Sequence, residues 1–248
     1  MNSVFQNLWQ LLADLLFPPR CVACQRPGPL LCATCLASVA YFSEPRCPRC
    51  DLPPASTRLS HCTACARHAG SALDGMRVLG PHIEPLRDAI HALKYQGRTT
   101  LAVPLGEMLA ERWQAAGMAV DGLVPVPLHP DRQRERGFNQ SDLLAHAMAD
   151  PLGLSVRADL LQRVRPTRPQ VGLARQERLQ NVADAFRARP EVEGGRWLLV
   201  DDVCTTSATL EACAQALRLR GAGAVWAITL ARPQGAARDV LASEVDGP

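Results

Sequence analysis

Lysine is almost missing from this sequence. Of 27 basic residues 26 are arginine, and Lys94 stands alone. Where arginine is written everywhere else, a lone lysine marks a place that needs a compact ammonium and not a planar guanidinium, such as a grip on phosphate. Aromatic residues are scarce at 4%, which weighs against a surface built to stack nucleobases. Net charge is small as well: a formal +3 over 248 residues gives no global attraction to nucleic acid or an anionic membrane, so any anion site must be local. No run approaches the roughly 18 apolar residues of a membrane span. The N-terminus lacks the basic region and small-residue cleavage site of a secretory signal, so a cytoplasmic protein is expected. Residues 1–20 pattern as an amphipathic helix, apolar at positions 5, 8, 9, 12, 15 and 16 and stopped by Pro18 and Pro19.

Cysteine, by contrast, is abundant and concentrated. Eight of the ten fall in four identical Cys-x-x-Cys units: Cys21 and Cys24, Cys32 and Cys35, Cys47 and Cys50, Cys62 and Cys65. Without a secretion signal this spacing means metal and not disulfides, because two thiolates two residues apart chelate one tetrahedral ion from a tight turn. Two ions follow, zinc by ligand softness, with an iron–sulfur cluster as the alternative. Sequential pairing of the units closes the shortest loops, and a cross-braced arrangement of first with third and second with fourth stays open. With four protein ligands each ion is structural, so residues 21–68 form a metal-dependent module with little apolar core of its own. His61 and His68 read as surface histidines, and Asp51 to Arg58 as a turn-rich linker inside the module.

Residues 69–248 form the larger domain, where strand-like and helix-like segments alternate. That order predicts an α/β fold, a parallel sheet with helices on both faces. Strands are expected at Met76 to Gly80, Gly122 to Val126, Arg196 to Val200 and Ala224 to Leu230. Helices are expected at Glu84 to Tyr95, Leu101 to Ala115, Asn139 to Ala149 and Ser207 to Arg220. In such sheets ligands sit beyond the carboxyl ends of the strands, so the loops after Val126 and Val200 are where chemistry is expected.

The loop after Val200 carries the strongest signal. An apolar run, Leu198-Leu199-Val200, leads to two acids, Asp201 and Asp202, and then past Val203 and Cys204 to Thr205, Thr206, Ser207, Ala208 and Thr209, which open a helix. Free backbone N–H groups, the positive end of a helix dipole and threonine hydroxyls together suit a phosphate. The carboxylates one step earlier can accept from ribose hydroxyls or help to hold Mg²⁺ beside a pyrophosphate. Cys204 and Cys213 read as packing residues. The loop after Val126 supplies Arg132, Arg134 and Arg136, an anion grip ahead of a helix capped by Asn139. A polar, proline-punctuated segment from Thr167 to Phe186 with Arg175 and Arg178 reads as a lid.

The Asp201 loop resembles the signature of the type I phosphoribosyltransferases: apolar strand, two acids, apolar pair, two threonines, glycine, any residue, threonine. Only Ser207 departs from it, standing where that family has glycine, and it predicts weaker or re-ordered phosphate binding. With the cysteine module, Leu93-Lys94-Tyr95-Gln96-Gly97-Arg98 and Arg136-Gly137-Phe138-Asn139-Gln140, the whole chain is similar to the ComF family, including its GntX-type members, which joins a double zinc ribbon to a type I phosphoribosyltransferase domain. The resemblance implies a cytoplasmic protein linked to uptake or use of external DNA. It implies binding of phosphoribosyl pyrophosphate with Mg²⁺: Asp201 and Asp202 on the ribose, Thr205 to Thr209 on the 5-phosphate, Lys94, Arg132 and Arg136 on the pyrophosphate. Three functions stay open on these residues. One is a transferase, one a binding protein for single-stranded DNA whose zinc module docks uptake proteins, and one a non-catalytic phosphoribosyl pyrophosphate sensor.

Overall fold

The computed structural model of the chain describes residues 18–42, 44–54, 62, 65, 70–165 and 184–233. The expected N-terminal helix before Pro18, His61, His68, and most of the expected lid with Arg175 and Arg178 lie outside the described residues.

A four-stranded, all-parallel sheet forms the centre. Its strands are β1 (Gly75–Pro81), β2 (Gly122–Pro125), β5 (Arg196–Val203) and β6 (Ala224–Arg232), in the order β1-β6-β5-β2. The helices are α2 (Leu86–Tyr95), α3 (Ala102–Ala116), α4 (Pro130–Arg136), α5 (Gln140–Leu152) and α6 (Ala208–Arg218), with α1 (Ala33–Ala37) in the cysteine module. The period-two alternation of a strand divides the apolar residues into two cores. On β5, Leu198 and Val200 join Leu93, Leu105, Leu109 and Leu144 on the face covered by α2, α3 and α5. Trp197 and Leu199 join Leu210, Cys213 and Leu217 of α6 on the other. Both sheet faces are covered, so these strands read as continuous apolar runs.

Three elements differ from expectation at the places where ligands are expected. β5 does not stop at Val200: the parallel ladder pairs Asp201 with Thr229 and Val203 with Ala231, so both acids sit on the last rungs of the sheet. Helix α6 begins at Ala208, and Ser207 holds a left-handed backbone at φ 65° instead of joining the helix. The arginine-rich loop folds as α4, started by His129, whose ring accepts from the Asp131 amide, and ended by left-handed Gly137. A short antiparallel pair, β3 (Leu161–Arg163) with β4 (Phe186–Ala188), flanks the lid segment and went unpredicted, because three-residue strands carry too little periodicity to read.

The cysteine module lies on the outer edge of β1. The Met76 amide donates to the Arg49 carbonyl at 2.7 Å, and the Val78 amide donates to the Asp51 carboxylate at 2.8 Å. Gly80 is needed on this strand, since a Cβ there would meet the Ala40 carbonyl oxygen at 2.0 Å. The module thus satisfies an edge that would otherwise present a row of unpaired amides.

Candidate functional site

The cysteines assemble sequentially. The Sγ atoms of Cys21, Cys24, Cys32 and Cys35 lie within 4.8 Å of one another, as do those of Cys47, Cys50, Cys62 and Cys65. The cross-braced alternative is thereby excluded. Sulfur separations of 3.7 Å (Cys24 to Cys32) and 3.5 Å (Cys50 to Cys62) match the roughly 3.8 Å edge of a zinc–thiolate tetrahedron. The two sets of four soft sulfurs therefore fit two structural zinc ions. Burial opposes ionisation of the Cys21 thiol, but the backbone N–H groups of Cys32, Cys24 and Ala23 bring it down to about 6. The same balance at Cys47, with the amides of Cys62, Cys50 and Arg49, brings that thiol to about 7. Burial and the neighbouring sulfurs push the other way on Cys35, up to about 12, and burial takes Cys62 up to about 11; a bound metal takes all four sulfurs as thiolates.

The two knuckles share a backbone. Cys21 N–H donates to Arg26 O and Gln25 N–H to Cys21 O, while Cys47 N–H donates to Leu52 O and Asp51 N–H to Cys47 O. The residue after each unit, Gln25 at φ 60° and Asp51 at φ 59°, is left-handed. Their side chains differ in fate. Gln25 is exposed, whereas Asp51 is 3% exposed and accepts from Arg112 Nη2 at 2.6 and 2.7 Å and from Arg46 Nη1 at 3.4 Å as well as from Val78. The stretch expected to be a plain linker thus begins with the tie that fastens the module to the sheet.

At the carboxyl edge of the sheet the structure brings together residues far apart in sequence. The last turn of α2 sets Lys94 Nζ 2.8 Å from Asp202 Oδ1. Burial works against the ammonium, but Asp202 and then Asp201 outweigh it and hold the Lys94 pKa above its ordinary value. Asp202 is buried, and its Oδ2 has no hydrogen-bond partner. Asp201 Oδ1 accepts from Ser141 Oγ and from the Asp202 amide, both at 2.9 Å. Burial, then the Asp202 charge, raise the Asp201 carboxyl to about 7. His82, just past β1, faces the same group, its pKa lowered by burial and then by Lys94 and Arg87.

Beyond the acids the chain turns through Thr205 and Thr206 into left-handed Ser207. Thr206 Oγ1 is buried without a partner, Ala208 is buried, and Ser207 lies with its Oγ 3.4 Å from Cys204 Sγ. Helix α6 leads away from this turn, so its first amides face it. Cys204 and Cys213 are buried packing residues, and burial pushes the Cys213 thiol well up.

The arginines separate. Arg132 is exposed on α4, while Arg136 hydrogen-bonds Gln140 and lies over the Tyr95 ring at 5.5 Å. Of the three cations expected on a pyrophosphate, Lys94 pairs with Asp202, Arg136 lies over Tyr95, and Arg132 is exposed. Sequence reasoning missed Ser141 and Tyr95. The signal for Ser141 was a polar residue at a position that helical spacing from Leu144 and Ala145 marks as inward.

A protein-held Mg²⁺ does not fit this pair. Among the described residues no third carboxylate, histidine or cysteine joins Asp201 and Asp202, and one carboxylate is already neutralised by Lys94. Magnesium bound by protein takes oxygen ligands in near-octahedral order.

Comparison with known proteins gives a consistent placement. The family model for a double zinc ribbon domain matches residues 12–67. The "DNA utilization protein YhgH" of Salmonella typhimurium is 33% identical over 229 residues, spanning 88% of this chain and 99% of that protein. The "Competence protein F" of Haemophilus influenzae is 32% identical over 228 residues, spanning 86% and 96%. The "Competence protein ComFC" of Streptococcus pneumoniae is 28% identical over 203 residues, spanning 82% and 87%. Among solved structures, a glutamine phosphoribosylpyrophosphate amidotransferase from B. subtilis matches at 22% identity with a TM-score of 0.40, covering 56% of this chain and 30% of that one. With such identity along nearly the full length of its relatives, four Cys-x-x-Cys units in two sets and a parallel sheet ending in two acids and a threonine turn, the chain belongs to the ComF family, a double zinc ribbon joined to a parallel α/β domain.

Proposed function

We propose that the turn from Asp201 to Thr209 binds the ribose 5-phosphate group of phosphoribosyl pyrophosphate, and that the protein transfers this group to an acceptor in the service of DNA uptake or use. The observation that carries the reading is the turn itself. Thr206 Oγ1 is buried and unpartnered, and Ser207 holds the left-handed conformation that glycine supplies in related signatures, so the amides opening α6 aim at one point. Keeping a serine there costs about 1 kcal/mol, and strain of this kind collects where a ligand is held.

In this reading the 5-phosphate takes the amides of residues 206–209 and the Thr206 hydroxyl. Asp201 accepts from a ribose hydroxyl through its second oxygen, its first being held by Ser141 and the Asp202 amide. An acceptor with a lone pair forms a bond to the anomeric carbon as the bond to pyrophosphate oxygen breaks, and the electron pair leaves with the pyrophosphate towards Arg132. The work is positioning and electrostatics, with no protein nucleophile. The expected Mg²⁺ enters only as a companion of the ligand's own pyrophosphate oxygens. The zinc module and the sheet, divided near residue 69, then serve as a docking surface and a reaction scaffold. The test is pyrophosphate release from phosphoribosyl pyrophosphate with a panel of bases and amines as acceptors. Saturable release reduced at least about tenfold in Asp201→Asn supports the transferase, and release equal in that variant contradicts it.

One observation favours a second reading, a site for single-stranded DNA. Tyr95 is 67% exposed, under the Arg136 guanidinium and 5.0 Å from the His91 ring. His91 in turn lines a polar cavity of about 650 Å³ with Arg20 and Arg98. An exposed ring with cations alongside is a stacking platform for one base. Oligonucleotide affinity that falls steeply with salt and is lost in Tyr95→Ala while Asp201→Asn leaves it unchanged selects this reading over the first.

A further inference from the structure

We propose that the Lys94 ammonium is the resident cation of the acid pair, filling the role of a metal ion, so that the protein recruits no divalent ion of its own to Asp201 and Asp202. This concerns the loop of the proposed sugar-phosphate site, but its first test uses metal alone and so stands or falls separately.

The argument starts from composition. A chain with 26 arginines and one lysine puts that lysine on the last turn of α2, where its side chain is 19% exposed and its Nζ reaches Asp202 Oδ1 at 2.8 Å. Two adjacent carboxylates at the end of a buried strand repel each other, and in a site of low dielectric that repulsion needs a cation. A guanidinium is planar and wide and would reach past the pair; an ammonium is a point charge that fits against one oxygen. The two Oδ1 atoms are spoken for: that of Asp202 takes Lys94 and the Val203 amide at 2.6 Å, and that of Asp201 takes Ser141 and the Asp202 amide. Asp202 Oδ2 is buried and lacks a partner. One free oxygen on a carboxylate already neutralised, beside the ammonium itself, leaves too little net negative charge to draw in magnesium.

Removing the ammonium should therefore create a metal site. In Lys94→Met the stem keeps its length, and the two neighbouring acids lose the cation that both of them act on. The tests use zinc-loaded protein and Mn²⁺ as the probe, with bound ion read from the loss of its free-ion electron paramagnetic resonance signal. Wild type should show no saturable binding at 1:1 stoichiometry up to about 1 mM, while Lys94→Met should bind one ion roughly 100-fold more tightly than wild type, an increase of the size that one nearby unit charge supplies, and Lys94→Met with Asp202→Asn should lose it. A single Mn²⁺ held by wild type and released in Asp201→Asn overturns the proposal, as does a folded Lys94→Met that gains nothing. If Lys94→Met does not fold, wild type decides through a second readout. Ribose 5-phosphate affinity measured calorimetrically should be the same within threefold with and without Mg²⁺, and a tenfold or greater gain with Mg²⁺ overturns the proposal. Absence of ribose 5-phosphate binding in every condition would count against the function proposed above and leave the Mn²⁺ result to stand.

Discussion

The two zinc knuckles have the same backbone and opposite means of attachment. The first docks by apolar contact: Cys21, Leu31, Cys35 and Val39 are buried in the core that also holds α2 and α3. The second docks by hydrogen bonds and charge, with Arg49 and Asp51 capping the amides of β1 and Arg112 reaching across from α3. A metal-binding turn is thus a fixed local shape whose left-handed residue is free to do something else. Gln25 does little with that position, and Asp51 uses it to fasten the cysteine module to β1 and α3.

The difference can be broken at four depths. Losing the second ion has the largest effect, since structural zinc contributes on the order of 10 kcal/mol to such modules. Cys47→Ser should speed hydrogen exchange at the Met76 and Val78 amides by orders of magnitude, whereas Cys24→Ser should leave those two amides protected. Asp51→Gly comes next. Glycine suits φ 59°, yet the variant should lose about 3–5 kcal/mol in denaturant unfolding because the largely buried Arg112 is left without its carboxylate and Arg46 is left with Glu44.

Asp201 is the contrasting acid, partly buried and, among the described residues, with no arginine hydrogen-bonded to it. Its raised pKa of about 7 means the folded state holds the proton more tightly than the unfolded chain, whose value is near 3.9. Stability is then greatest below the unfolded value and falls as pH rises through 7. Asp201→Asn should melt a few degrees above wild type at pH 8, with the gain gone near pH 4, whereas a constant difference across that range would mean that the charge is not what matters. The smallest effects belong to two of the other left-handed positions. Gln25→Gly and Ser207→Gly should each stabilise by roughly 0.5–1 kcal/mol, opposite in sign to Asp51→Gly.

Much of this was legible in the sequence. Four Cys-x-x-Cys units announced two zinc sites, and the core strands and helices fell within a few residues of their expected places, because buried parallel strands and amphipathic helices write strong periodic patterns. Less visible were features that arise only when distant segments meet. Asp51 read as linker because its partners Arg112 and Val78 are 61 and 27 residues away. Nothing in the sequence around Lys94 names Asp202 as its ion-pair partner. Ser207 was seen as a departure from glycine, yet its left-handed turn retains the shape that glycine would give.

The most direct test of the account is the affinity of the zinc-loaded protein for phosphoribosyl pyrophosphate, measured calorimetrically in wild type and in Thr206→Val, which keeps the side chain's shape and removes its hydroxyl. The account predicts saturable one-to-one binding in wild type, weakened about tenfold in the variant, the size expected for one hydrogen bond to a charged group. Equal affinity in the two proteins, or no binding to either, would contradict it.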